Sequence, residues 1–209
     1  ILLDFAYYVL HVVDHQSRFF WAIHVTHHNS ELFNLTTGFR SSVFQPLYRF
    51  IYFIPLAMLG FSAIDILFMH SICQTWGVLV HTKYIKRMPA WVEMIFVTPS
   101  HHRVHHASNI LYLDRNMGMF LIIWDRIFNT FQDEVEWEKV KYGLTKNVEK
   151  ITPITVWNHE WIAIWKDLKR SDKWSDKLKY IFYPPGWSHD GSSKTTSELR
   201  EEISLGFTP

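Results

Sequence analysis

An all-α, membrane-embedded helical domain is the fold class that this sequence predicts, and three observations predict it. Nine of the 13 histidines fall in three short windows, His11–His15, His24–His28 and His101–His106, at spacings that match one face of a helix. A nearly uncharged run from Phe50 to Met69 carries only Asp65, and the apolar stretch Ser71 to Val80 follows it. The composition is 48% hydrophobic and 17% aromatic, with 10 Trp and 16 Phe. That aromatic load fits contact with a bilayer, where Trp and Tyr collect at the interface.

A chain of 209 residues is long enough for one real core. Its net charge of +1 gives no argument for a nucleic-acid partner. Cys73 is the only cysteine, so an internal disulfide and a cysteine-ligated zinc or iron–sulfur site are excluded. Any bound metal is held by nitrogen and oxygen. The opening Ile1-Leu2-Leu3-Asp4 has neither an initiator Met nor a basic stretch. It is not read as a signal peptide, and the chain is expected to be the interior of a longer protein with earlier membrane helices.

Taken in order, residues 1–15 are apolar and aromatic and are expected to be helical. His11 and His15, four apart, share a face. Residues 19–28 predict a second helix on which His24, His27 and His28 share a face. At about 100° per residue, His11 and His24 would point in roughly opposite directions on one straight helix. A common site therefore requires a bend, and Gln16-Ser17-Arg18 is the polar place for it. Residues 29–42 read as a loop, in which Asn29, Glu31, Asn34 and Arg40 are either positioning groups or ordinary caps and turn residues.

Residues 43–81 are too long for one helix across a bilayer core of about 30 Å. Gly60 divides them into arms, Val43–Leu59 and Phe61–His81, which predict a transmembrane or re-entrant hairpin. Arg40 and Arg49 flank one end and Lys83, Lys86 and Arg87 the other. Both ends are thus placed on the cytoplasmic side, with Asp65 near the far tip. A buried helical pair is the alternative for the same residues. His81, at the exit of the second arm, is a candidate metal ligand. His70 and His159 are expected to be dispensable for metal binding.

Pro99 ends the amphipathic stretch 89–100, with Ser100 as a helix N-cap. His102, His105 and His106 then repeat the spacing of His24, His27 and His28, and His101 points away. Asp114 and Asp125 are candidates to accept hydrogen bonds from ligand imidazoles, as are the side chains of His101 and Asn34 to support them. The sequence divides into a histidine-box membrane domain, 1–133, and a charged, Trp-rich extension, 134–209. In the extension Trp157, Trp161 and Trp165 mark one face of an amphipathic helix. Pro184-Pro185-Gly186-Trp187 reads as a turn, and the tail after Ser188 is polar and expected to be partly mobile.

Together the windows offer His11, His15, His24, His27, His28, His102, His105 and His106, and His81 makes nine. One metal takes four to six ligands, so this number of nitrogens suits two ions. Two redox-active irons at a membrane face point to activation of dioxygen for attack on a lipid C–H bond; zinc would occupy the same nitrogens in an overexpressed sample. A membrane protein that merely stores or senses zinc is the alternative from another class.

The three boxes, in this order and spacing, resemble the fatty acid hydroxylase / sterol desaturase superfamily. Asn34-Leu35-Thr36-Thr37, His81-Thr82, Thr98 to His106, Tyr112 to Asn116 and Trp124-Asp125-Arg126 look most like its alkylglycerol monooxygenase branch. The resemblance covers about residues 4–133. It implies a helical membrane fold, a cytoplasm-facing di-iron centre, and oxidation of a lipid chain by O2. For that branch it implies ether cleavage through hydroxylation of the adjacent carbon, with tetrahydrobiopterin as electron donor. A sterol or fatty acyl desaturase or hydroxylase is the alternative within the same fold.

Overall fold

The computed structural model describes residues 1–149 and 151–205. Helix α1, Leu2–Gln16, and helix α2, Arg18–His28, are separated by Ser17 alone, whose φ of -126° and ψ of 120° are extended. That one residue breaks the helical register and folds α2 back on α1. The bend required by the histidine spacing is present, and it leaves His11 Nε2 3.1 Å from His24 Nε2.

The hairpin is less regular than its hydropathy predicts. After the short α3, Leu35–Gly38, the first arm is not one helix but three pieces. They are α4, Gln45–Arg49, a 3-10 turn, Phe50–Phe53, and α5, Ile54–Met58. Pro46 and Pro55 lack the N–H that would continue a helix, and each stands in the first turn of a new segment. Gly60 turns the chain with φ +93°, a conformation that favours glycine. The second arm is α6, Ala63–Leu79, capped by the Ser62 hydroxyl, which accepts from the Asp65 N–H at 3.2 Å.

Helix α6 has 17 residues, and at 1.5 Å each it is about 25 Å long. Among the described residues no helix is long and apolar enough to cross a membrane. The arms nonetheless expose many apolar side chains, including Leu47, Ile54, Met58, Ile64 and Phe68. Arg49 does not flank this surface; it is buried over the Tyr7 ring. Inside, Leu3, Tyr7 and Leu10 of α1 pack with Phe53, Leu56 and Cys73. Each such side chain, fully buried, contributes about 1.5–3 kcal/mol, and together they fix the hairpin to the first histidine helix.

Helix α7, Ala90–Ile95, leads to α8, Pro99–His105. The N-cap of α8 is Thr98, not Ser100. Pro99 is suited to the first helical position and holds the residue before it extended, which moves the cap ahead of the proline. Ser100 instead donates to Glu93 Oε1 at 2.9 Å.

The remaining helices are α9, Ile123–Ile127, α10, Pro153–Leu168, α11, Trp174–Phe182, and α12, Thr196–Ser204. Strands are absent among the described residues, where only the isolated bridges Phe96–Leu121 and Ala107–Tyr142 occur.

The charged segment after residue 133 packs on the histidine helices. Arg18, buried at the start of α2, donates to Glu160 at 2.7 Å and to Asp167 at 2.8 Å, both on α10. Trp161 meets the ring of Phe19, and Trp157 that of Phe44. The predicted turn at 184–187 closes with Trp187 N–H donating to the Pro184 carbonyl at 3.1 Å. Of the polar tail, part forms α12, and residues 206–209 lie outside the described residues.

Candidate metal centre

Five histidines, His11, His15, His24, His28 and His105, bring one nitrogen each to within 4.8 Å of one another. Four more, His27, His81, His102 and His106, do the same beside them. All nine candidates from the sequence are therefore gathered, and eight of them are buried, His27 being partly so. Helix geometry keeps each i, i+4 pair together in one group and sends the i+3 histidine to the other. On α2, His24 and His28 face the first group, and His27, turned aside by one residue from His28, faces the second. On α8 and its cap, His105 joins the first group while His102 and His106 join the second.

The protonation of these rings follows from their outer partners. Carbonyls only accept, so a ring nitrogen against a carbonyl carries the hydrogen. His11 Nδ1 donates to the Met117 carbonyl at 2.7 Å, and His105 Nδ1 to that of Arg115 at 2.9 Å. His27 Nδ1 donates to the Arg40 carbonyl at 3.0 Å, and His81 Nδ1 to that of Gly77 at 2.6 Å. In a neutral ring the Nε2 atom then holds only a lone pair.

His81 Nε2 nevertheless lies 3.3 Å from His27 Nε2, and 3.0 Å from both His102 Nε2 and His106 Nε2. In the first group His24 Nε2 is 3.1 Å from the Nε2 atoms of both His11 and His28. His15 Nε2 and His105 Nε2 are buried without any partner. Lone pairs aimed at lone pairs repel; a cation between them reverses the sign. Imidazole–metal bonds of about 2.0–2.1 Å separate neighbouring nitrogens by about 3.0 Å in an octahedron and about 3.4 Å in a tetrahedron. The spacings found span those two values. The residues present fit two metal ions.

One loop supplies three of the outer partners. Asp114 and Asn116 adopt positive φ, 50° and 54°, which Asp and Asn tolerate better than most residues. The resulting turn directs the Asp114 carboxylate at His15 Nδ1, 3.1 Å away, the Arg115 carbonyl at His105, and the Met117 carbonyl at His11. The Asp114 carboxylate thus lies against a candidate ligand imidazole. Burial pushes its carboxyl up, but the His15 contact and the Thr196 hydroxyl outweigh this and hold it below the usual range.

Asp125, His101 and Asn34 do not take the predicted roles. Asp125 reaches no imidazole; it accepts from the N–H groups of Met117 and Gly118 at 2.6 and 2.7 Å and from the Thr130 hydroxyl. It steadies the loop whose Met117 carbonyl holds His11. Gly118 is required there, because a Cβ would lie 2.8 Å from Asp125 Oδ2 and 2.6 Å from the Leu121 carbonyl oxygen. His101 joins neither group: its Nδ1 accepts from the Thr98 N–H, and its ring rests against Phe131. Asn34 caps α3 by accepting from the Thr36 N–H at 2.9 Å. It acts one step removed, since α3 leads to the Arg40 carbonyl that holds His27. His70 lies apart, between Phe50 and Phe53.

Sequence reasoning missed Asp14, although it sits within the first window. It is fully buried, accepts from the Tyr48 hydroxyl at 2.6 Å, and lies 3.7 Å from His24 Nδ1 with the Gln45 amide beside both. A charged residue inside an apolar helix beside two histidines was the available signal.

The fatty acid hydroxylase family pattern matches residues 1–130, more than half of the sequence. The chain belongs to the fatty acid hydroxylase family. It is 40% identical to alkylglycerol monooxygenase of Homo sapiens over 204 residues, 96% of this chain and 44% of that protein. It is 28% identical to the ornithine lipid hydroxylase OlsE of Rhizobium tropici over 152 residues, 72% of this chain and 45% of that protein. A Delta(7)-sterol 5(6)-desaturase of Schizosaccharomyces pombe is 29% identical over 147 residues, 65% of this chain and 44% of that protein. The chain spans less than half the length of these relatives. No solved structure matches it.

Within this member of the fatty acid hydroxylase family the imidazoles are held neutral. Burial and then the neighbouring His15 push His11 down to about 3, and burial pushes His81 down to about 4. Burial first, and then the adjoining imidazoles, hold His24, His28, His102, His105 and His106 well below their ordinary value. His27 is lowered likewise, by burial and then by His81. Their lone pairs are available to metal without proton loss.

Two cavities border the groups from different sides. One, of about 550 Å³, is lined by His11, His24, His27, His81 and His102 and by residues of α3, α4 and α6, with the exposed Phe39 and Leu79 among them. The other, of about 470 Å³, is bounded by His15, His28, His105 and His106 and by the segment after residue 133.

Proposed function

We propose that this chain carries the catalytic centre of a di-iron, O2-dependent lipid monooxygenase, with the carbon next to the ether oxygen of an alkylglycerol as its target. The convergence of nine imidazole lone pairs in groups of five and four carries this reading. An all-nitrogen set, without cysteine, suits redox-active iron better than structural zinc. Bound there, two irons would supply the activation of dioxygen needed to replace C–H by C–OH, the second oxygen atom leaving as water with two electrons and two protons from a donor. Tetrahydrobiopterin or another external reductant is that donor. Hydroxylation beside an ether oxygen gives a hemiacetal, which falls apart to an aldehyde and the free glycerol hydroxyl. Alkylglycerol is preferred over sterol as substrate because the identity to alkylglycerol monooxygenases is higher and extends over 96% of the chain.

The chain's own residues orient and exclude. Carbonyls 40, 77, 115 and 117 and the Asp114 carboxylate keep the Nδ1 hydrogens in place, so that Nε2 faces inward. The cavity beside α6 reaches histidines of both groups and adjoins the exposed apolar surface, which suits a lipid chain entering from the bilayer. The hairpin of α4, α5 and α6 is assigned to one leaflet, entering and leaving on the cytoplasmic side with the exposed Lys83, Lys86 and Arg87 at the interface. The membrane is the endoplasmic reticulum membrane or the bacterial inner membrane.

Metal analysis with Mössbauer spectroscopy on protein from iron-replete cells tests this. Two irons per chain are expected, with oxygen uptake on addition of an alkylglycerol and aldehyde as product. Less than one iron per chain, or redox-silent metal without oxygen uptake, refutes it. An olefin in place of aldehyde moves the chain to the desaturases.

A further inference from the structure

The cavity on the side away from the hairpin is absorbed by none of the roles above. Its floor is catalytic: His15, His28, His105 and His106 line it, so a molecule inside touches histidines of both groups. Its walls come from the segment after residue 133, and its cover is α12, where Arg200 donates to the Leu113 carbonyl. Its volume of about 470 Å³ falls within the range of small-molecule sites, about 300–1,000 Å³.

The chemistry of the lining selects a ligand. His159 Nδ1 donates to the carbonyls of Thr155 and Val156 at 3.0 and 3.1 Å, so its Nε2 holds the lone pair. That Nε2 is buried and has no partner. The Asp114 carboxylate lines the same space. Both are acceptors and ask for N–H donors. Three of the lining cations are engaged, Arg18 by Glu160 and Asp167, Arg170 by Asp167 and Asp190, and Lys194 by Glu202, while Lys146 is exposed to solvent at the edge. A phosphate-bearing ligand would find only the solvent-exposed Lys146 besides these paired cations. Trp21 gives an aromatic wall, and its ring lies 5.1 Å from that of His15 and 5.5 Å from that of His28.

We infer that this cavity is the reductant site: it takes a small, uncharged, N–H-rich reduced heterocycle, held by His159 and Asp114 against Trp21. The inference rests on the monooxygenase reading, which needs two electrons and two protons per turnover. The heterocycle loses two electrons and two protons and leaves oxidised; these, with O2 and the substrate C–H, give C–OH and one water. Lipid and reductant then approach the metals from different sides and do not compete for space.

Calorimetry on the full chain loaded with redox-silent zinc, in detergent, tests this without turnover. The probes are 6-methyl-tetrahydropterin, which is small and carries no phosphate, and reduced nicotinamide adenine dinucleotide. The pterin is expected to bind at one site and the dinucleotide not to bind. His159→Phe, which fills the site and removes the acceptor, weakens the pterin roughly tenfold or more, with two zinc ions retained. His159→Gln keeps an acceptor and restores binding. Thr75→Trp, which plugs the other cavity, leaves the isotherm unchanged. An unaltered isotherm in metal-replete His159→Phe overturns the inference, as does competition by Thr75→Trp. Oxygen uptake by iron-replete protein driven only by a reduced haem or iron–sulfur protein overturns it too, while sparing the monooxygenase reading. Substoichiometric iron in natively purified protein would instead strike that reading, whatever the isotherm shows.

Discussion

Acidification of the metal-free protein is the sharpest perturbation of the histidine cluster. Eight imidazoles of the cluster have proton affinities lowered by burial, to about 3 for His11 and about 4 for His81. In the unfolded chain they titrate near 6.5. Between those values the unfolded state binds more protons than the folded one, so stability is full above 6.5 and falls as pH falls. One pH unit below 6.5, each such histidine withdraws about 1.4 kcal/mol. Eight together exceed much of the 5–15 kcal/mol, roughly, that holds a domain folded. Two buried carboxyls pull the other way: Asp14 is raised to about 7 and Asp125 to about 6, both by burial. Acidification to pH 5.5 favours the folded state by about 3 kcal/mol through these two, which does not restore the balance. Thermal unfolding in detergent is therefore expected to lose its cooperative transition between pH 7.5 and 5.5 without metal. With metal bound the loss moves to lower pH, because protons must compete for Nε2. Equal stability of the metal-free protein at the two pH values would refute the neutral, buried cluster.

Substitutions test the arrangement piece by piece. His105→Ala and His27→Ala each remove a nitrogen from a different group, and elemental analysis should find bound metal reduced in both, whereas His70→Ala retains two ions. Asp125→Ala leaves the Met117 and Gly118 N–H groups without their acceptor; denaturation should show a loss of about 2–5 kcal/mol, and metal titration about 10–100-fold weaker binding through His11. At Gly38 a Cβ would lie 3.0 Å from both His81 Nδ1 and the Val78 Cα, so Gly38→Val should displace His81. Metal stoichiometry falling from two toward one is the expected result, and two tightly bound ions would show that α3 yields instead.

The histidines were legible because a helix converts spacing into a face, and three windows of such faces have few uses besides metal. The bend at Ser17 was legible for the same reason, since His11 and His24 cannot meet without it. His81 was legible from its place at the end of the second arm. What holds the rings was mostly not legible. Four of the five Nδ1 partners described are or belong to backbone: carbonyls 40, 77, 115 and 117 carry no residue signature, and only Asp114 does. Asp125 illustrates the limit: it was expected to accept from an imidazole, and it accepts instead from amides of the supporting loop. The first hairpin arm shows another limit. Hydropathy averages over Pro46 and Pro55, whereas the backbone cannot.

The two groups are not equivalent, and the difference follows from what supports them. In the group of five, three rings are held by the single loop 114–117, itself tied down by Asp125 and by Asn116, which donates to the His101 and Gln132 carbonyls. In the group of four, His27 and His81 are held by carbonyls from α2's neighbour loop and from the end of α6, and His102 Nδ1 is buried without a partner. A ring locked at Nδ1 loses less freedom when metal arrives, and its Nε2 is the more basic for donating a hydrogen bond. The group of five is therefore expected to have the higher affinity and to fill first. The group of four, looser and short of one nitrogen, is the one better able to rearrange its ligands, and it lies against the cavity that opens toward the apolar surface of α6. Strength on one side and adaptability on the other are what two ions with unequal tasks require.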